Sequence, residues 1–329
     1  MTYSVGGLIQ AADYNTFQTN LNTIWSTGST DSGWGQTAIS AVAASGVVTA
    51  TNWATLVNNL ATAGSQTNTT LTARTAPTTG TVIAILTNVA TDITSCTTNR
   101  GNAASSGAEV GYASGTTSKT GTTGTVFNVS WQIQFTHTVT FPSANQARYF
   151  WNAGGRVRLQ FGKSSTGTDI DPDWNTFAGY PGSLYITGRV NSAAQTIAGV
   201  SYTGTTRIGG TGGTQSTLTT TTGWYQLTTT PLVVFTLFNS NSPYTGEYIQ
   251  TQATASAPTV LTLNTYWFQP TVSAPGTTNI ISGGTAPAVG ATSIGAATAP
   301  TTLCTYFPPS TAQGLSASWG TPIITASVL

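Results

Sequence analysis

Phe127-Asn128-Val129-Ser130-Trp131-Gln132-Ile133-Gln134-Phe135-Thr136-His137-Thr138-Val139-Thr140-Phe141 alternates apolar and polar residues almost without a break. A strand sends successive side chains to opposite faces. The stretch therefore predicts a long β-strand with one face in a core and the other wet. Pro142 to Asn145 follows as a turn. Further along, Val157, Leu159 and Phe161 alternate with Arg156, Arg158 and Gln160, and Leu184 and Ile186 mark a short strand. Trp224 to Leu227 leads through Pro231 into Val233 to Phe238, and Tyr248 to Ala255 and Val260 to Phe268 complete the series. Short strands separated by Gly, Pro and Asn turns predict an antiparallel β-sandwich, jelly-roll-like, over residues 106–329. Pro270 to Pro300, rich in Gly, Ala, Thr and Pro, reads as a long loop or an extended C-terminal arm wrapping a neighbour. Pro308-Pro309 and Pro322 extend that reading to the tail.

Before this region the period changes. Tyr14, Phe17, Leu21 and Ile24 recur at helical spacing, with Asp13 as the expected N-cap and Gly28 as the stop. Trp53, Leu56, Val57 and Leu60 form a second such stripe, opened by Thr51 and closed by Gly64. Val82, Ile85, Leu86, Val89 and Ile93 form a third, whose Val and Ile content also suits a strand. Gly28 to Gly35 is a turn-rich connector between the first two. Residues 1–105 thus read as a helical N-terminal docking region, and the fold class as α+β. Ser105 to Gly107 and Gly115 to Gly124 read as small, polar and flexible.

The composition narrows the function. Charged residues make up 5% of the 329-residue chain, against roughly 25% in an average soluble protein. Threonine, with Ser, Ala and Gly beside it, fills the gap and keeps a pleated surface polar without charge. The 9 Trp, 12 Tyr and 11 Phe exclude a disordered chain. A net charge of +1 without a basic patch argues against nucleic acid as a partner. It also gives little self-repulsion, which suits a subunit packed in an assembly. The N-terminus lacks a basic and an apolar signal region, and nothing approaches ~20 consecutive apolar residues, so neither a leader nor a membrane span is expected. Cys96 and Cys304 stand far apart without metal-type spacing. A disulfide is one reading; two buried free thiols, the usual fate of unpaired cysteine, is the favoured one.

Groups that do chemistry are scarce. His137, the one histidine, shares a strand face with Phe135 and Val139 and reads as a core residue. Asp169, Asp171 and Asp173 alternate around Ile170 and Pro172 and offer hard oxygen ligands of the type Ca²⁺ takes. The EF-hand pattern fails, because Trp174 and Tyr180 occupy its Gly and Glu positions, and a solvated loop is the favoured reading. Asp173 with Glu247 is a formal carboxylate pair for glycoside hydrolysis that nothing else supports. Gly209 to Gly213 lacks the Lys-Ser/Thr of a phosphate loop. Trp174, Tyr180, Tyr202 and Tyr244 read as packing residues first and sugar platforms second. Arg148, Arg156 and Arg158 concentrate basic charge in one short stretch, as ion-pair partners of the few acids or as subunit contacts. The three aspartates follow this stretch closely, which marks the neighbourhood for an ion, a partner or a subunit joint.

Two stretches resemble bacteriophage virion structural proteins, especially of phages of cyanobacteria and marine bacteria. One is Tyr3 to Asn15 with the Trp25 to Gln36 turn, whose centre is Gly33-Trp34-Gly35-Gln36, continuing into Val48 to Leu56. The other is Ala147-Arg148-Tyr149-Phe150-Trp151-Asn152-Ala153-Gly154-Gly155-Arg156-Val157-Arg158, similar to an aromatic-aromatic-Asn-x-Gly-Gly strand start. Arg156 departs from the acidic residue expected there. The resemblance implies a non-enzymatic subunit in the tail, neck, baseplate or fibre, located in the virion and partnered by other virion proteins and by copies of itself. It supplies no catalytic residue and no cofactor. A head decoration or cement protein, and an adhesin that binds a host surface glycan, are the alternatives.

Overall fold

A computed structural model describes residues 10–80, 88–111, 117–118, 131–163, 170–189, 194–210, 215–218, 222–239, 246–270 and 300–329. The architecture is α+β: helices in the N-terminal part, then antiparallel sheets.

Three helices open it, α1 (Ala11–Trp25), α2 (Ala50–Thr67) and α3 (Val89–Thr98). The apolar stripes are buried as their spacing predicts: Tyr14, Phe17, Leu21 and Ile24 on α1, and Trp53, Leu56, Val57 and Leu60 on α2. Tyr14 meets Trp53 edge-on at 5.4 Å between ring centroids. The helix ends differ from expectation. Gln10, not Asp13, is the N-cap of α1, and Asp13 lies buried in its first turn. Thr49 rather than Thr51 caps α2: its hydroxyl accepts from the Asn52 amide at 3.2 Å while the Asn52 side chain accepts from the Thr49 amide at 3.0 Å. Gly64 does not end α2. The helix runs on to Thr67 and stops at Asn68, whose left-handed backbone serves as the cap. Of the third stripe, Val89 and Ile93 lie on α3, and Val82, Ile85 and Leu86 lie outside the described residues.

The strands are β1 (Thr117–Ser118), β2 (Trp131–Thr140), β3 (Arg156–Gly162), β4 (Ser183–Ile186), β5 (Gln195–Ile197), β6 (Val200–Tyr202), β7 (Thr205–Ile208), β8 (Gln215–Leu218), β9 (Leu232–Phe238), β10 (Tyr248–Ala257), β11 (Val260–Gln269), β12 (Thr301–Phe307) and β13 (Ile323–Val328). A five-stranded sheet has the order β1-β12-β3-β4-β7 and a six-stranded sheet the order β13-β2-β11-β10-β9-β8. The pairings within both are antiparallel. Between the two large sheets the chain crosses from β1 to β2, β2 to β3, β7 to β8, β11 to β12 and β12 to β13. Such crossing between layers is the jelly-roll-like trait of the sandwich. A short β5–β6 hairpin stands apart.

The opening stretch behaves as its alternation requires. Ile133, Phe135, His137 and Val139 of β2 are buried, while Gln134, Thr136 and Thr138 between them are half-exposed. The two sheets meet through these inward side chains. Trp267 on β11 donates to the Thr302 hydroxyl on β12 at 3.2 Å, and Phe161 on β3 stacks on Phe235 of β9 at 5.8 Å.

Two sequence readings change. Pro142 to Asn145 is no plain turn: Ser143 caps α4 (Ala144–Asn152) by accepting from the Gln146 amide. The aromatic pair Phe150-Trp151 therefore lies on a helix that leads through Gly154-Gly155 into β3, and packs with Phe141, at 5.1 and 5.6 Å, and with Trp224. Trp224 to Gln226 itself is a 3-10 turn rather than a strand. Gly154, with φ +97°, lets the chain turn from α4 into β3; a Cβ there would lie 2.6 Å from the Ala103 methyl. At the other end, residues 271–299 of the expected arm lie outside the described residues, and 301–307 and 323–328 are strands, one in each sheet.

One buried cluster runs from the helices into both sheets. Hydrogen bonds join the same parts. Trp34 donates to the Asn152 carbonyl at 3.1 Å, Gln66 to the Ala153 carbonyl at 3.1 Å, and Gln36 to the Ser316 carbonyl at 3.0 Å. The Gly33 to Gln36 turn and the Ala147 to Arg158 stretch, which carry the resemblance, are thus packed on one another.

Candidate functional site

Cys96 and Cys304 are free, buried thiols. Burial pushes the Cys96 thiol up to about 11 and the Cys304 thiol further up, so neither is a ready nucleophile. His137 is 1% exposed in the core. Burial lowers its pKa to about 4, a shift that a hydrogen bond to the Thr302 backbone opposes, and this keeps the ring neutral. Its Nδ1 has no hydrogen-bond partner. Trp174 is fully buried, donating to Gln269 Oε1 at 2.7 Å, and Tyr202 is buried too, so these two aromatics are packing residues. Tyr180 packs edge-on to Phe177, and Tyr244 lies outside the described residues.

Of the candidate Ca²⁺ ligands, Asp171 and Asp173 fall on a helix and not in the expected loop. Residues 170–173 begin helix α5 (Ile170–Gly179). Asp169 and the side chains of Asp171 and Asp173 lie outside the described residues. Among the described residues no group of three His, Cys, Asp or Glu side chains could hold a metal ion.

The arginines divide. Arg148, on α4, lies over the Tyr149 ring at 5.5 Å and donates to Asn145 Oδ1 at 2.9 Å. Arg156 and Arg158 come together on β3, both above the ring of Phe307 on β12, at 4.2 and 5.6 Å. Alternation turns them to the outer face of the five-stranded sheet, away from Val157 and Leu159. Arg156 is 6% exposed, enclosed by Phe307, Tyr202 and Tyr185. Burial pulls its pKa below the ordinary arginine value, against the pull of the two tyrosines and Glu109. Arg158 pairs with Glu109, which also accepts from the Thr305 hydroxyl. The β5–β6 hairpin, through Ile197 and Tyr202, and Ala103 pack together over Tyr185 and Ile208 of this face.

Other charges are hidden as well. Arg74 pairs with Asp92 at 2.5 Å and Arg100 with Asp31 at 2.7 Å. Asp13, Lys163 and Glu247 are buried, and Glu247 accepts from Asn239 at 2.9 Å. Among the described charged residues only Glu109 is exposed, and it is paired.

The outer face of the six-stranded sheet carries no charge on its described residues. Its side chains fall into rows set by register. Phe238, Tyr248, Phe268 and Gln132 form the first row, and Thr236, Gln250, Tyr266 and Gln134 the second. Gln252, Asn264, Thr136 and Ser327 form the third, and Thr254, Thr262, Thr138 and Thr325 the fourth. Polar neighbours are tied laterally: Thr136 donates to Asn264 at 2.8 Å, Gln134 to Thr136 at 3.2 Å and Gln252 to Gln250 at 3.0 Å. Tyr248 stacks on Phe268 at 4.9 Å.

Comparison with family models, with curated proteins and with solved structures gives no match. The site is therefore read from its chemistry. The described residues on the outer face of the six-stranded sheet are neutral, and the arginines on the outer face of the five-stranded sheet are packed against the chain's own rings and Glu109. Sequence reasoning singled out Arg156 and Arg158 but missed Glu109, Tyr185 and Phe307, which are far from them along the chain. It also passed over the neutral face, although the polar half of the Gln132 to Thr140 alternation already spelled one strand of it.

Proposed function

We propose that this chain is a non-enzymatic structural subunit of a bacteriophage particle, associated with the tail at the neck, baseplate or fibre, and that it acts by oligomeric assembly. The observation that carries the reading is the placement of charge. A free soluble protein keeps its Asp, Glu, Lys and Arg in water. Here the described ones are buried, paired or half-buried, and the outside is left to Thr, Gln, Asn and Ser. Depletion of charge is the compositional mark of the centre of a protein interface. The resemblance of the Gly33 to Gln36 and Ala147 to Arg158 stretches to virion proteins supplies the assembly, and the mutual packing of those stretches supports their being one structural unit.

The test is quantitative mass spectrometry of purified particles. The expected result is the chain present at far fewer copies than the major capsid protein. A copy number matching the capsid protein moves it to the head as a decoration or cement subunit. Absence from particles overturns the reading.

A further inference from the structure

We propose that the outer face of the six-stranded sheet docks against the same face of a second copy of this chain. The inference rests on the structural-subunit reading and specifies its contact.

Three observations carry it. The first is charge. None of the four rows holds a charged residue, so a like surface meets it without leaving an ion desolvated and unpaired. The chain itself provides such a surface. The second is size. The five strands β13, β2, β11, β10 and β9, at about 4.8 Å spacing and about nine residues of about 3.4 Å each, give roughly 700 Å² per face. A stable interface buries about 800 Å² per partner. The third is the distribution of apolar groups. On the β9 side of the sheet Phe238 lies edge-on to Tyr248 at 5.7 Å, and the β13 edge carries Ile323 and Leu329, 64% and 69% exposed. A two-fold axis between the faces and parallel to the strands lays the aromatic β9 side of one copy toward the aliphatic β13 edge of the other, and the reverse contact follows by symmetry.

The lateral hydrogen bonds favour this occupant further. Gln134, Thr136, Asn264, Gln250 and Gln252 are held by their neighbours, so less side-chain freedom is lost on docking. Tyr248 stacks on Phe268 and meets Phe238 edge-on, so the rings too are held by one another.

Sedimentation velocity of the full chain over a concentration series tests the proposal. The expected result is a reversible dimer, or a larger species built on it. Asn264→Lys, at the centre of the face, is expected to weaken association by about 100-fold, because each interface then buries two unpaired ammonium groups. Thr94→Lys, on the exposed side of α3, is expected to leave it unchanged. Circular dichroism checks that each variant is folded; if Asn264→Lys is not, Thr138→Lys is read instead. A wild-type monomer throughout, an association that Asn264→Lys leaves intact, or a monomer whose face binds a neutral polysaccharide overturns the proposal. A monomer found in purified particles overturns this contact alone, whereas a dimer missing from them overturns the function alone.

Discussion

The two sheets of the sandwich share a core and have opposite outer faces. The five-stranded sheet carries Arg156 and Arg158 outward, then covers them with Phe307, Tyr202, Tyr185 and Glu109. The six-stranded sheet carries no described charge outward, and most of its outward side chains are half-exposed. An isolated charge is costly to bury, and the chain meets that cost only where its own rings and carboxylates do the covering. Where the cover comes from outside, a neutral face docks without any such cost. Among the described residues the charges thus sit in the chain's own contacts, and the outward rows of the six-stranded sheet are neutral.

Breaking the core common to both faces has the largest effect. Trp267 is fully buried, near Phe135 and Trp174, and donates to Thr302 across the layers. Trp267→Ala is expected to cost about 4 kcal/mol through lost burial and the cavity left behind. Urea unfolding reads this as a large fall in midpoint, with both faces lost together.

His137 joins the layers in a second way, and pH tests it. Its folded pKa of about 4 lies below its ordinary 6.5, so the unfolded chain binds the extra proton between these values. Stability is then full above about pH 6.5 and declines as pH falls toward 4, by up to roughly 3 kcal/mol. His137→Phe is expected to flatten that part of the curve, measured as the difference between wild-type and variant urea midpoints. Equal pH slopes in the two proteins contradict the buried neutral imidazole.

Arg156 sharpens the contrast between the faces. Arg156→Ala empties the space between three rings and is expected to cost about 2 kcal/mol. Arg156→Met restores most of the packing and removes the burial of a cation whose Nε and Nη1 have no hydrogen-bond partner. It is expected to stay within about 1 kcal/mol of the wild type, as replacement of buried ions by apolar groups often does. A Met variant as damaged as the Ala variant assigns the stabilisation to charge rather than packing.

Much of this was legible along the chain. The α1 and α2 stripes and the β2, β10 and β11 alternations are local, and burial follows their period. Cap positions were not, because Asn68 and Thr49 act through backbone conformation and a reciprocal bond that residue type alone does not fix. The resemblance marks Phe150-Trp151 only as the entry to a strand; Ser143 starts a helix there, and its packing with Phe141 and Trp224 joins residues that local pattern alone does not connect. Strands β12 and β13 hid in a tail read as extended, since their partners β3 and β2 lie more than a hundred residues earlier. The Arg158–Glu109 pair was hidden for a related reason: the two residues lie on separate segments that only the fold brings together.

The smallest effect separates folding from docking. Thr138 is half-exposed on the open face, with Thr262 and Thr325 beside it. Thr138→Lys adds a charge that can extend into water, so in the monomer it is expected to change stability by less than about 0.5 kcal/mol. The same charge buried between two copies has no counter-ion, so association carries the whole penalty. On the covered face the order is reversed: Glu109→Gln weakens a half-exposed pair that serves folding alone, by about 0–1 kcal/mol, with association unaffected. Thermal unfolding and sedimentation measured on both variants resolve the two cases. If Thr138→Lys lowers the melting temperature as much as it weakens association, the open face belongs to the fold of the single chain and the contrast between the faces fails.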